Sequence, residues 1–271
     1  MKVKFFKIIV LLVPLLCNAV PHGSEYDCML VSLPASGSSF FAAAIAKSNQ
    51  NVRYNSEQLT RQWGGINYVK YLPEGQLKGL YNSRFARTDY NFTKEVFMSL
   101  HTGLWIQRFT VFCLYRKRQH TFPCKKHTQY FLDMFKEFVT LPCPDQIKES
   151  VRTYIKKNAH TDLEKQVAIH TLLNYIMCSD AQKYGLNVIE YAQIMQLEGP
   201  QLHEYLENKV PKQLMTHQLV SQILVDRFED SDFLSKREQN YQGLAIELFC
   251  QDLLSFIKQL DPAMQYWYLF E

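Results

Sequence analysis

The pattern of apolar and polar residues divides the chain into a strand-rich first part and a helical second part. A continuous apolar run at residues 26–33 predicts a buried strand, and an amphipathic, alanine-rich segment predicts a helix over about Ser38–Ser48. Short strands are expected at residues 51–54 and 90–94. The β-branched and aromatic run at residues 108–115 is typical of a strand buried on both faces.

Helical spacing dominates from residue 126 onward. The apolar faces of the first two predicted helices contain Phe131, Met134, Phe135 and Phe138, and then Leu163, Val167, His170, Asn174 and Met177. His170 is interpreted as a core residue. A last strand is expected at residues 187–194, and further helices at 201–206, 213–228 and 241–260. Early strands that alternate with helices, followed by a helical tail, predict an α/β fold: a parallel sheet flanked by helices, with a helical C-terminal half.

The first 20 residues differ in character from the rest. Lys2, Lys4 and Lys7 precede an apolar run at residues 8–16, and small residues follow it, which is the pattern of a secretory signal peptide. A short membrane anchor is the alternative, although the run is shorter than the roughly 20 residues of a spanning helix. We therefore expect an exported protein with a single domain over residues 25–271, and the alternative is a protein that its N-terminus anchors to a membrane.

Composition and charge narrow the class of protein. The 271 residues are 47% hydrophobic and 21% charged, which is typical of a globular chain and not of a disordered one. Without the three lysines of the leader, the formal charge of +4 falls to +1. The domain is therefore not a general polyanion binder, and no nucleic-acid partner is expected. Any phosphate recognition must come from local clusters.

The cysteines suggest both buried thiols and one disulfide. Cys28 and Cys113 lie within apolar runs, where a free buried thiol is expected. Cys124 and Cys143 both neighbour prolines in predicted loops and form the preferred pair. The cysteines and histidines lack the close spacing of a zinc site, so no metal is expected.

The turn between the first strand and the first helix is the leading candidate for a binding site. It reads Pro-Ala-Ser-Gly-Ser-Ser over residues 34–39. Backbone N–H groups at the start of a helix, together with the helix dipole, favour a phosphate or a sulfate. Gly37 permits a backbone conformation or a close approach that other residues prevent, and Ser38 and Ser39 can cap the helix. The turn lacks the first glycine and the lysine of an ATP- or GTP-binding loop. A plain strand-to-helix turn with serine caps is the alternative.

A second candidate follows the strand predicted at residues 108–115. Arg116 stands where that strand ends, and residues 116–126 contain five cations and no acid. Open parallel sheets bind ligands at the carboxyl ends of their strands, and arginine offers a rigid fork to phosphate oxygens. The alternative is a solvated basic loop.

These features resemble the sulfotransferases that use 3′-phosphoadenosine 5′-phosphosulfate. The residues that match the family's phosphosulfate loop are Pro34, Ser36, Gly37, Ser38 and Ser39, and Arg116 matches an arginine at the end of a later strand. The resemblance implies a P-loop-like sulfotransferase architecture in which Ser36, Gly37, Ser38, Ser39 and Arg116 bind this co-substrate. It also implies transfer of a sulfuryl group to a hydroxyl or amine of a protein or carbohydrate acceptor.

The segment at residues 51–61 resembles tyrosylprotein sulfotransferases, which implies that Glu57 is the catalytic base. Two positions depart from the family pattern: Ala35 stands where a cation is expected, and Cys124 stands in place of a serine. Lys94 or Arg53 could supply the absent charge, and Lys94 is the second predicted catalytic residue. Glu190 and Tyr191 resemble a later strand motif of the family. The alternatives are a nucleotide-binding relative without transfer activity and a different phosphotransferase.

Overall fold

A computed structural model describes residues 28–33, 36–56, 91–96, 105–106, 109–117, 125–138, 146–235 and 244–270. Several predictions fall outside these ranges. They concern the leader at residues 1–20, the Cys124–Cys143 pair and the candidate base Glu57. Pro34 and Ala35 of the predicted turn also lie outside the described residues.

A five-stranded sheet forms the centre of the fold. Its strands are β1 (Cys28–Ser32), β2 (Tyr54–Ser56), β3 (Phe92–Val96), β4 (Thr110–Tyr115) and β5 (Val188–Glu190). They lie in the order β2-β3-β1-β4-β5, and every neighbouring pair is parallel. The two apolar runs predicted both β1 and β4, and the structure places these strands side by side, with Cys28 opposite Thr110. The parallel sheet of the α/β prediction is therefore confirmed.

Helices account for most of the remaining described chain. They are α1 (Ser38–Ser48), α2 (Lys125–Phe138), α3 (Gln146–Asn158), α4 (Asp162–Tyr184), α5 (Tyr191–Gln196), α6 (Gly199–Glu207), α7 (His217–Ser235) and α8 (Leu244–Leu260), followed by a 3₁₀ turn at Trp267–Leu269. α1 has the predicted bounds. α4 begins with a capping box between Thr161 and Glu164, which satisfies backbone donors at both positions. None of the described helices is long and apolar enough to cross a membrane.

The side chains of the sheet alternate between two hydrophobic cores, one on each face. In β4, Cys113 and Tyr115 join the core that contains α2, α3, α4 and α8, while Phe112 and Leu114 join the core that contains α1, α6 and α7. Helices on both faces are therefore confirmed. Successive residues of a strand point to opposite faces of the sheet. Arg116 directly follows β4 and is two residues after Leu114, so its side chain is expected on the same face as α1.

Three predicted elements are displaced. The strand expected at residues 51–54 is β2, which begins only at Tyr54, because a turn at Asn49 uses the preceding backbone groups. In that turn the N–H of Asn51 donates to Asn49 Oδ1 over 3.0 Å. The strand expected at residues 90–94 is β3, which begins and ends two residues later. The helix expected at 213–228 is α7, and it begins later and ends later than predicted.

The strand expected at residues 187–194 ends at Glu190, and a helix begins at Tyr191. A short apolar run does not distinguish a strand from a buried helix segment, and this error follows from that ambiguity. Tyr191 and Ile194 are both buried, which fits one face of a helix as well as a strand.

Several predictions about the core are confirmed. His170 is 1% exposed, and its Nδ1 lies 3.3 Å from the side-chain nitrogen of Asn174. Cys28 and Cys113 are buried free thiols. The predicted stripe on α2 is buried at Phe131, Met134 and Phe135, whereas the side chain of Phe138 lies outside the description.

Candidate functional site

The candidate site lies at the carboxyl ends of β1 and β4, the strands that precede Gly37 and Arg116. These two parallel strands are hydrogen-bonded neighbours, so the structure brings both predicted segments to one edge of the sheet. From β1 the chain continues through α1 to β2, on the β3 side, whereas β4 lies on the opposite side of β1. Such a change in direction is where open α/β sheets form ligand-binding crevices.

Gly37 has a backbone conformation and a neighbour that both require glycine. Its φ is 85° and its ψ is 7°, in the left-handed region that other residues rarely adopt. A Cβ at this position would lie 2.0 Å from Cε2 of Tyr191. The turn is closed by a hydrogen bond from the N–H of Ser36 to the carbonyl of Leu33, over 3.3 Å. The glycine is therefore needed for the turn and for its contact with the end of β5.

Within the described residues, no side chain caps the start of α1. The prediction that Ser38 and Ser39 cap this helix is wrong, because Gly37 occupies the cap position and has no side chain. Ser38 and Ser39 are the first two residues of the helix, and its first turn contains no acidic residue. The first N–H groups of a helix have no partner within the helix, and together with the dipole they favour an anion.

Two buried hydroxyl groups border this helix start. Ser32, the last residue of β1, and Ser36, in the turn, are each 1% exposed. Neither hydroxyl oxygen has a hydrogen-bond partner among the residues that the structure describes. Burying a hydroxyl without a hydrogen bond costs roughly 1–3 kcal/mol. Each of these hydroxyls can donate a hydrogen bond to an anion.

Lys94 lies beside the same helix start. It stands opposite Leu30 in the sheet. Its side chain is expected on the same face of the sheet as that of Phe92, which packs in the core that contains α1. The side chain is 1% exposed, and its Nζ donates to Ser39 Oγ over 3.0 Å. Arg53, the other predicted source of charge, precedes β2 and so lies at the amino-terminal edge of the sheet. Lys94 is therefore the better placed of the two cations.

Arg116 packs on an aromatic ring at the other side of the site. Its guanidinium carbon lies 4.4 Å from the ring centroid of Tyr191, and Arg116 is 4% exposed. The ring of Tyr191 also meets Phe40 of α1 edge-on, with centroids 6.5 Å apart. Tyr191 thus contacts both predicted binding segments. Sequence reasoning assigned Tyr191 no role of its own, and its only signal was the short motif that it forms with Glu190.

Tyr191 directly follows β5, and this strand forms hydrogen bonds with α6 and with the segment just after α6. The N–H of Glu190 donates to the hydroxyl of Tyr205 over 2.8 Å, and Lys209 Nζ donates to the carbonyl of Val188 over 2.8 Å. Burial raises the pKa of Tyr205 to about 12, so its hydroxyl is neutral at physiological pH. Burial also lowers the pKa of Lys209, and the nearby carboxylate of Glu190 opposes that shift. These contacts fix the position from which Tyr191 reaches the site.

Of the basic cluster predicted at residues 116–126, only Arg116 and Lys117 have side chains that the structure describes, and these two point to opposite faces of the sheet. Lys117 is the next residue along the chain, so its side chain points to the face opposite that of Arg116. It lines a cavity of about 60 Å³ together with His170, Thr171 and Asn174. Those residues belong to α4, which packs on the other face of the sheet. Among the cations of this segment whose side chains the structure describes, Arg116 alone contacts Tyr191.

The comparisons with known proteins give no family for this chain. No protein-family model matches it, and no curated protein is detectably similar to it. Within the described residues, no group of three or more His, Cys, Asp or Glu side chains is arranged to hold a metal ion. What the described site offers is an anion-binding arrangement: an uncapped helix start, two buried hydroxyls, one lysine and one arginine.

Proposed function

We propose that the chain is a sulfotransferase that takes a sulfuryl group from 3′-phosphoadenosine 5′-phosphosulfate. The buried hydroxyl of Ser36, which has no hydrogen-bond partner among the described residues, carries this proposal. Ser36 lies in the turn between β1 and α1, and β1 pairs with β4, the strand that Arg116 directly follows. The strand-turn-helix arrangement of β1 and α1 in a parallel sheet also supports a P-loop-like architecture.

The proposed roles follow from where each group lies. The N–H groups of the first turn of α1 and the hydroxyl of Ser36 bind the 5′-phosphosulfate, and Arg116 binds the 3′-phosphate. Lys94 stabilises the charge that develops on the leaving phosphate oxygen. The bond between sulfur and that oxygen breaks while a bond forms from sulfur to the acceptor oxygen or nitrogen. Glu57, outside the described residues, accepts the acceptor's proton.

Titration calorimetry tests the binding half of this proposal. Adenosine 3′,5′-bisphosphate should bind more tightly than adenosine 5′-phosphate, because only the bisphosphate offers a 3′-phosphate to Arg116. Equal or absent binding of the two nucleotides would contradict the proposal.

A transfer assay with labelled donor and a mixture of protein and carbohydrate acceptors tests the chemical half. Glu57→Gln should keep the affinity for the bisphosphate and lose transfer, since the change alters proton acceptance and little else. Transfer by Glu57→Gln at the wild-type rate would show that another group is the base.

The second candidate is a nucleotide-binding protein without transfer activity. Ala35 favours it, since this position carries a cation in the sulfotransferases that the loop resembles. Loss of one electrostatic stabiliser costs about 100- to 1,000-fold in rate. Tight binding of the bisphosphate without detectable transfer to any acceptor would identify this second function.

A further inference from the structure

Ser32 is the last residue of β1, and it has no role in the proposal above. β1 is the central strand of the sheet, and Ser32 stands opposite Val96 of β3 on one side and Leu114 of β4 on the other. The carbonyl of Leu33, the next residue, accepts the hydrogen bond that closes the turn before α1. Ser32 therefore lies where the sheet leads directly into the candidate anion-binding turn.

The side chain of Ser32 is expected on the face of the sheet that α1 covers. Leu30, two residues earlier in β1, packs in the core that contains α1, whereas Val31 and Leu33 pack in the core on the other face. Because side chains alternate along a strand, Ser32 shares the face of Leu30. The hydroxyl of Ser32 thus lies on the side of the sheet where α1 begins.

Two cations of the candidate site lie on either side of Ser32. Lys94 extends from β3 to the first turn of α1, where its Nζ donates to Ser39 Oγ over 3.0 Å. Arg116 follows β4 and is two residues after Leu114, which stands opposite Ser32. Neighbouring parallel strands are about 4.8 Å apart. An anion bound between the two cations therefore lies over the end of the central strand, where Ser32 stands.

The hydroxyl of Ser32 is buried without a hydrogen bond. Its oxygen is closed to solvent and has no hydrogen-bond partner within the described ranges of the chain. Burying such a group opposes folding by roughly 1–3 kcal/mol, and alanine would avoid that cost at nearly the same volume. Serine at this position therefore destabilises the ligand-free chain, and an acceptor oxygen of a ligand would remove the cost.

We propose that Ser32 is a further ligand-binding residue of this site, and that its hydroxyl donates to an oxygen of the anionic group held at the start of α1. That group is a tetrahedral oxyanion, a phosphate or a sulfate. This inference rests on the proposed function only where it names the molecule that carries the group as a bisphosphate nucleotide.

The decisive variant is Ser32→Ala, which removes the hydroxyl and little else. Without ligand, this variant should unfold at the same temperature as the wild type or at a higher one, because a buried hydroxyl without a partner is lost. Titration calorimetry measures its affinity for adenosine 3′,5′-bisphosphate and for pyrophosphate. Both affinities should fall about ten- to hundredfold, as for the loss of a hydrogen bond to a charged group.

Ser32→Cys separates the hydrogen bond from the space that the side chain fills. A thiol is similar in size to a hydroxyl but is a weak donor. This variant should therefore bind both probes almost as weakly as Ser32→Ala does. Wild-type affinity of Ser32→Cys, together with weak binding by Ser32→Ala, would mean that the side chain only fills space, and the inference would be wrong.

Thr93→Val is the matched control. Thr93 is also a buried strand residue with a hydroxyl, but its Oγ1 donates to Glu95 Oε1 over 2.8 Å. It stands opposite Met29, which packs in the core on the face away from α1. Thr93→Val should unfold at a lower temperature than the wild type, because a hydrogen bond within the fold is lost. It should bind both probes as the wild type does.

The two probes separate this inference from the proposed function. Wild-type affinity of Ser32→Ala for both probes would overturn the role of Ser32 and leave the sulfotransferase proposal standing. If the wild type binds pyrophosphate but not the nucleotide, the sulfotransferase proposal fails, and a loss of pyrophosphate affinity in Ser32→Ala would still support Ser32. If the wild type binds neither probe, both proposals are wrong.

The unfolding temperatures give an independent outcome. If ligand-free Ser32→Ala unfolds at a temperature as low as that of Thr93→Val, the hydroxyl of Ser32 has a partner in the ligand-free fold, such as an ordered water. The serine would then be a structural residue, and the inference would be overturned.

Discussion

Tyr191 fills the space that a side chain at Gly37 would need. A Cβ on Gly37 would lie 2.0 Å from Cε2 and 2.5 Å from Cδ2 of the tyrosine ring, which is far inside van der Waals contact. The same ring supports Arg116, whose guanidinium carbon lies 4.4 Å from the ring centroid. Tyr191 thus contacts both the turn after β1 and Arg116, the residue after β4. Because Tyr191 directly follows β5, the position of its ring is set by where β5 ends.

Gly37→Ala should therefore destabilise the fold for two separable reasons. The positive φ costs roughly 1–2 kcal/mol for a residue with a Cβ, and the clash with Tyr191 adds to it. A double-mutant cycle with Tyr191→Ala, measured by denaturant unfolding, separates the two contributions. Gly37→Ala should cost less in the Tyr191→Ala background than in the wild type, because the clash is gone while the backbone strain stays. Additive effects of the two changes would contradict the contact.

The elements that could be predicted from the sequence are those whose local pattern of apolar residues matches the residues that are buried in the fold. β1, β4 and α1 were recognisable because long apolar runs and a strong helical period leave few alternatives. The short strands were displaced, because a three-residue strand such as β2 is fixed by its neighbours in the sheet and by the turn at Asn49. No local pattern records those contacts.

The candidate site shows the same division. Gly37 and Arg116 were found because each follows a strand whose pattern is clear. The contact of Lys94 with Ser39 depends on the register between β1 and β3, and the two residues are 55 positions apart in sequence.

Arg116→Lys tests whether the fork of the arginine matters as well as its charge. Lysine keeps the positive charge but cannot donate two parallel hydrogen bonds, and it stacks less well on Tyr191. The affinity for adenosine 3′,5′-bisphosphate should fall about ten- to hundredfold, as for the loss of a charged hydrogen bond. The affinity for adenosine 5′-phosphate should change little. Calorimetry with both nucleotides gives the ratio, and an equal loss for both would argue against a contact with the 3′-phosphate.

The buried thiol of Cys113 predicts a loss of stability in alkali. Burial, with a smaller contribution from the charge of Asp180, raises the pKa of Cys113 from 9.0 to about 12. Above pH 9 the unfolded chain loses the thiol proton while the folded chain keeps it, so the free energy of unfolding falls as the pH rises toward 12. The fall is about 1.4 kcal/mol per pH unit in this window.

Cys113→Ala lacks this thiol, so its stability should fall less steeply over the same pH range. Urea unfolding at intervals between pH 8 and about pH 11 measures both slopes. Identical slopes for the two proteins would mean that Cys113 ionises in the folded chain as it does in the unfolded one.

Lys94 supplies the last test, which concerns catalysis. If its ammonium group replaces the cation that Ala35 lacks, Lys94→Met should lower the rate of sulfuryl transfer about 100- to 1,000-fold. Binding of the bisphosphate should change much less, because the charge that Lys94 stabilises develops during transfer. Lys47→Met is the control: Lys47 pairs with Asp226 near the far end of α1, so its loss should affect stability and not transfer. Adding Ala35→Lys to Lys94→Met should recover part of the rate, since the resemblance places the family's cation there. Full activity of Lys94→Met alone would assign the stabilising charge to another residue.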